Sequence, residues 1–61
     1  MFSQTLKEIR KKKGLSQRAL AETTGFCRDT IARYERGIIK PGYDFLSALV
    51  HKVNVKPQEL F

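Results

Sequence analysis

Apolar positions recur along this chain at helical spacing, in short runs that turn residues punctuate. Leu6, Ile9, Arg10 and Lys13 form one i, i+3, i+4, i+7 row, and Phe2 extends it back by a turn. The row predicts a first helix over Ser3 to Lys13, with Ser3 as N-cap. Gly14 suits the left-handed residue that closes a helix, after lysines that complement its C-terminal dipole. Leu15 is a core anchor, and Ser16 caps a second helix over Gln17 to Thr24 that turns Leu20 and Ala21 inward. Gly25 ends it at a position that needs positive φ, and Phe26 plugs the core from the turn. A third helix covers Arg28 to Arg36 and stops at Gly37. Pro41 disfavours helix at Lys40. A fourth helix covers Tyr43 to Lys52 on the row Leu46, Leu49, Val50 and Val53. Asn54 is a candidate left-handed residue, Val55 an anchor, and Pro57 opens a last turn to Phe61. The expectation is an all-α, compact five-helix bundle, one domain over residues 1–61, with helices two and three joined by a tight turn.

The third helix has two faces. With Arg28 at zero and roughly 100° per residue, Asp29, Ala32, Arg33 and Arg36 lie within an arc of about 140° beside it. Cys27, Ile31 and Tyr34 lie opposite. One side therefore suits a core and the other a partner that attracts guanidinium groups.

Arg10 is out of place in an apolar row, because an unpaired buried charge costs several kcal/mol or more. Glu35 stands at the edge of the third helix's apolar face, beside Ile31. An Arg10–Glu35 pair joining the first and third helices is the expected solution; the alternative is an Arg10 that snorkels to water.

Charge narrows the class of partner. The 61 residues carry 12 Lys or Arg against 6 Asp or Glu, a formal net charge of +6. That balance favours nucleic acid or another anionic surface. A hydrophobic content of 41%, with four Phe and two Tyr, suits a small globule and not a disordered tail. No apolar run approaches the ~20 residues that cross a bilayer, and the N-terminus lacks a signal peptide's apolar core. The expected location is the cytoplasm, on the nucleoid. The single cysteine fits a reducing compartment. Cys27 and His51 have no accompanying ligand cluster, so they read as a small packed residue and a surface residue near a helix C-terminus. No metal or cofactor is expected. No His, Asp, Ser or Cys constellation converges, so the chain does not read as an enzyme.

Several segments together, in order and at these spacings, carry a resemblance. They are Leu6–Arg10, Gly14–Gln17, Leu20–Glu22, Gly25-Phe26, Thr30–Gly37, Pro41 and Val55–Leu60. The chain resembles the lambda-repressor-like, Cro-type helix-turn-helix family of bacterial and phage DNA-binding domains, also called the xenobiotic-response-element family. The resemblance covers Thr5 to Leu60 and implies that the third helix lies in the major groove of double-stranded DNA. It implies DNA contacts from Gln17 and Arg18 at the start of the second helix. Cys27, Arg28, Asp29, Thr30 and Arg33 follow on the third, and Arg36 and Lys40 would meet phosphates. Members of the family often carry a buried Arg–Glu pair, matching Arg10 and Glu35. Three positions depart from the family pattern. Cys27 replaces the usual capping Ser or Thr, Thr24 replaces an aliphatic residue, and Asp29 puts an acid on the DNA-facing side.

Arginine forks match the O6 and N7 acceptors of guanine, so Arg28 and Arg33 are candidate base readers, with phosphate contact the alternative for either. Asp29, four residues before Arg33, can orient that fork or accept from cytosine N4. The implied role is a small repressor-like transcriptional regulator, a homodimer on a two-fold symmetric operator. Val55 to Phe61 and Ile38-Ile39 are the apolar candidates for its interface. The alternative is an antitoxin-type module that neutralises a protein partner and binds its operator secondarily. A sequence-indifferent RNA or membrane-surface binder fits poorly, because one core uses up the apolar faces.

Overall fold

The computed structural model describes residues 2–60. Helices α1 (Phe2–Lys12), α2 (Gln17–Thr24), α3 (Arg28–Arg36), α4 (Tyr43–Lys52) and α5 (Pro57–Leu60) follow one another with short turns between. The described residues contain no strand, and the protein is the all-α bundle that the periodicity predicts. The first helix is displaced by one residue from expectation at both ends. It already includes Ser3, which therefore lies inside the first turn and not at the cap. The last turn begins at Pro57 as expected and is described as far as Leu60; its predicted end, Phe61, lies outside the described residues.

The turns behave as their residues dictate. The Ser16 hydroxyl accepts from the Ala19 N–H at 3.0 Å, which satisfies one free donor at the start of α2. Gly25 closes α2 at φ 81°, a conformation that costs little only without a Cβ. Its N–H and that of Phe26 both donate to the Ala21 carbonyl, so the chain reverses within two residues and launches α3. Asn54 takes the left-handed conformation at φ 61°. The Val55 N–H then reaches back to the Leu49 carbonyl at 3.0 Å.

The core centres on Phe45, with Leu6, Leu20, Ile31, Leu49 and Val55 also fully buried. Phe45 meets Tyr34 at 4.6 Å between ring centroids, and Ala21 is buried among α2's contacts. The fourth helix is thus rotated from the expected setting. Phe45, Ala48 and Leu49 face inward, while Leu46 and Val50 of the predicted row are only half-buried. In the first helix Leu6 and Ile9 are buried as expected. Lys13 leaves the predicted inward row, is exposed, and donates from Nζ to the Asn54 carbonyl at 3.4 Å.

Two further expectations need correction. Val55 and Leu60, offered as exposed interface residues, are 2% and 8% exposed and belong to the core. The segment after α4 doubles back, and its apolar side chains pack under α1. Thr24, which looked unsuited to a core position, is buried without cost to its hydroxyl. The Oγ1 donates to the Leu20 carbonyl at 2.8 Å, one turn back in its own helix.

Candidate nucleic-acid interface

The α3 helix divides as its sequence demands. Ile31, Tyr34 and Glu35 are buried, whereas Arg28, Asp29, Arg33 and Arg36 are exposed. The turn at Gly25-Phe26 sets α3 across α2, and Phe26 wedges beneath the turn against Phe45. This junction leaves an open concavity of about 630 Å³ on the outward side of α3. Gln17 from α2, then Arg28, Asp29, Ala32, Arg33 and Arg36 from α3, line it, and Ile38 stands at its end.

The remaining predicted site residues, Arg18, Cys27, Thr30 and Lys40, do not line this hollow. Arg18 is exposed on α2, and its Nε is 4.0 Å from Glu22 one turn on. Thr30 is half-buried. Lys40 lies beside Ile39 and Pro41 in a separate apolar hollow of about 440 Å³ that Phe2, Tyr34 and Leu46 also line. Cys27 is exposed, not packed against the core as the wheel placed it. Its extended backbone, φ −72° and ψ 145°, takes it off the helix whose periodicity the wheel assumes. As the cap of α3 it supplies no side-chain hydrogen bond, as a thiol's weak acceptor would suggest. Ala32 lines the concavity from the outward arc where the helical spacing put it, and Ile38 lines it without having been assigned to it.

Electrostatics sorts the cations here. Arg33 Nε lies 3.1 Å from Asp29 Oδ2, the i, i+4 pair expected from spacing. Arg28, Arg36 and Lys40 form no ion pair among the described residues, so their charge is available to an anion. Under the site, the expected Arg10–Glu35 pair is present. Arg10 Nε donates to Glu35 Oε2 at 2.6 Å and Nη2 donates to Oε1 at 3.1 Å. The third guanidinium nitrogen, Nη1, donates to the Leu15 carbonyl at 2.9 Å. Gln17 Nε2 also donates to Glu35 Oε1, at 3.2 Å, a contact that sequence reasoning missed.

Among the described residues no helix is long and apolar enough to cross a membrane, and no three His, Cys, Asp or Glu side chains gather as a metal site. No curated protein matches the chain. A helix-turn-helix family model matches residues 6–60, nearly the full length. Among solved structures, the chain is similar to the restriction-modification controller protein C.AhdI from Aeromonas hydrophila. The two share 37% identity and a TM-score of 0.89, over 98% of this chain and 91% of that one. The turn between α2 and α3, the arginine-bearing outer face of α3 and the five-helix order agree with these matches, and the chain belongs to the Cro/C1-type helix-turn-helix family of DNA-binding transcriptional regulators.

Proposed function

We propose that this protein binds double-stranded DNA at a specific operator and regulates transcription there, with α3 in the major groove. The observation that carries the reading is the convergence of Gln17, Arg28, Asp29, Arg33 and Arg36 on one open concavity. Two of its three guanidinium groups have no acidic partner among the described residues. Arg28 and Arg33 are the base readers, with Asp29 beside Arg33. Arg36 and Lys40 meet phosphates, and Arg18, Cys27 and Thr30 complete the DNA-facing surface around α3. Such a regulator works at the nucleoid.

The reading includes a homodimer. The longest dimension of the chain is 24 Å, short of the roughly 34 Å turn of DNA that separates two half-sites. With Val55 and Leu60 committed to the core, exposed Ile39 and Tyr43 are the apolar side chains left for a second copy among the described residues; exposed Ile38 stands at the DNA-facing rim. The likeness to C.AhdI supports a controller role and makes the promoter of a restriction-modification locus the first one to test.

Selection of bound duplexes from a random pool, at two salt concentrations, tests all of this. A consensus with two-fold symmetry is expected. Recovery of no motif, together with a small protein that co-purifies, would replace this reading with the antitoxin one.

A further inference from the structure

Glu35 does more than neutralise Arg10. It is 6% exposed, and its Oε1 accepts from two donors on two different helices: Arg10 Nη2 of α1 and Gln17 Nε2 of α2. An ionised carboxylate only accepts, so the nitrogen end of the Gln17 amide must face it and the amide cannot flip. One N–H and the carbonyl oxygen of Gln17 remain, and they make no other hydrogen bond among the described residues. Gln17 lines the concavity beside Arg28 and Arg33.

We propose that Glu35 is a positioning residue for DNA recognition: it holds the Gln17 amide in one sense, so that Gln17 meets DNA as a preset donor and acceptor. The proposal rests on the reading of the concavity as the DNA site. The physical gain is pre-organisation. A free glutamine must give up rotamer freedom when it binds, whereas one already tied to a buried carboxylate has given it up on folding. The buried pair thereby reaches the surface through Gln17, and Arg10 contributes by holding the carboxylate in place from its other side.

A double-mutant cycle on affinity for the selected operator separates this role from simple stapling of the fold. Arg10→Met with Glu35→Leu exchanges the buried pair for apolar side chains, a change that small domains often tolerate. Circular dichroism first establishes that the variant is folded. Gln17→Ala in the natural background is expected to weaken binding about tenfold, the value of one hydrogen bond. The double variant is expected to lose about as much, and adding Gln17→Ala to it to cost nothing further. Wild-type affinity in the folded double variant, or an undiminished Gln17→Ala effect in its background, overturns the proposal.

Should the double variant not fold, the natural protein decides alone, by nuclear magnetic resonance without DNA. A rigid Gln17 side-chain amide with two dispersed proton signals is expected; an amide that averages like that of a surface glutamine overturns the proposal. Failure of the underlying reading looks different, since the natural protein would then select no duplex while its Gln17 amide could still be rigid.

Discussion

Phe26 and Phe45 meet edge to face, with ring centroids 5.1 Å apart and planes at 81°. One ring comes from the turn between α2 and α3, and the other from the first turn of α4. The contact supports the turn from below, and the turn fixes the angle at which α3 leaves α2. Edge-to-face pairs add about 0.5–1.5 kcal/mol beyond their buried area. Phe45 also touches Tyr34 and is wholly buried. Phe45→Ala should therefore cost about 3–5 kcal/mol. A domain of this size has only about 3–9 kcal/mol to lose. The expected result is a chain without a cooperative thermal transition, measured by circular dichroism. A sharp transition within a few degrees of the natural protein's would show that the core is not centred on this ring.

Phe45 also shows where sequence reading stops. The segment Tyr43 to Lys52 offers two apolar rows at helical spacing, one through Leu46 and Val50 and one through Phe45 and Ala48, and Leu49 serves both. Periodicity cannot choose between them; the crossing of α4 against α2 and α3 does. Gly25 and Gly37 were legible as helix ends because local backbone sterics decide them. The outer face of α3 was legible for a similar reason, since a nine-residue helix with Ile31 and Tyr34 inward has only one place for its arginines. Cys27 was misplaced because a cap residue does not follow the helix's rotation. Glu35 with Arg10 could be inferred from an unpaired charge, but the Gln17 contact could not, because a polar residue at a helix start already has a sufficient local reason to be there.

The cap of α3 is a weak point that can be repaired. Cys27 has the extended backbone of an N-cap and no side-chain bond to the helix. A hydroxyl at that position can accept from the N–H two or three residues on, as Ser16 does for α2. Cys27→Ser should stabilise the fold by about 1 kcal/mol, or roughly 4–8 °C in melting temperature. Calorimetry measures it, and an unchanged or lower melting temperature would show that the end of α3 is already satisfied by other means.

Acid should loosen the C-terminal turn first. The Glu59 carboxylate accepts from the Lys56 N–H at 2.9 Å, half of a capping box, and Lys12 Nζ lies 3.6 Å away. The backbone hydrogen bond from Lys56 is the main cause that holds its pKa below the ordinary 4.5; burial opposes it, and the charge of Lys12 adds a weaker downward push. A carboxyl with a lowered folded-state pKa contributes stability that is complete above its unfolded value and disappears as pH falls through the folded value. Stability from this source should stay level down to about pH 5 and then decline. Glu59→Gln should flatten that part of the acid profile in urea titrations, with amide exchange at α5 as the local readout. An acid profile identical to the natural protein's would remove Glu59 from the account.

Asp29 carries a specificity prediction and not a stability one. Its carboxylate and the Arg33 side chain are 77% and 56% exposed, so the pair should contribute only a few tenths of a kcal/mol to folding. Its effect lies in occupying the Arg33 Nε, which leaves the two terminal nitrogens as the free edge of the fork. Asp29→Ala also removes a negative charge from the side proposed to face DNA. Melting temperature should barely change, binding to unrelated duplexes should strengthen, and discrimination at one base pair of the operator should weaken. Selection repeated with the variant reads all three, and an unaltered consensus would retire the orienting role.

Arg33, Arg36 and Lys40 should separate by the kind of contact each makes. Arg36 sits in the last turn of α3 and Lys40 in the loop beyond it; neither has an acidic partner among the described residues, and both are exposed. A recognition helix of this type meets base edges with its N-terminal residues, which leaves side chains at its far end to the flanking phosphates. Each phosphate neutralised releases condensed counterions, so Arg36→Ala or Lys40→Ala should lower the slope of log affinity against log salt by about 1. The order of preference among operator variants should not change. Arg33→Ala should instead cost about 1–3 kcal/mol at one base pair, with that pair's preference lost. The two signatures differ because a phosphate presents the same oxygens at every step, whereas a guanine edge is one of four patterns in the major groove. Equal losses on every duplex for Arg33→Ala, with the full salt effect, would move Arg33 to the backbone and leave Arg28 as the base reader.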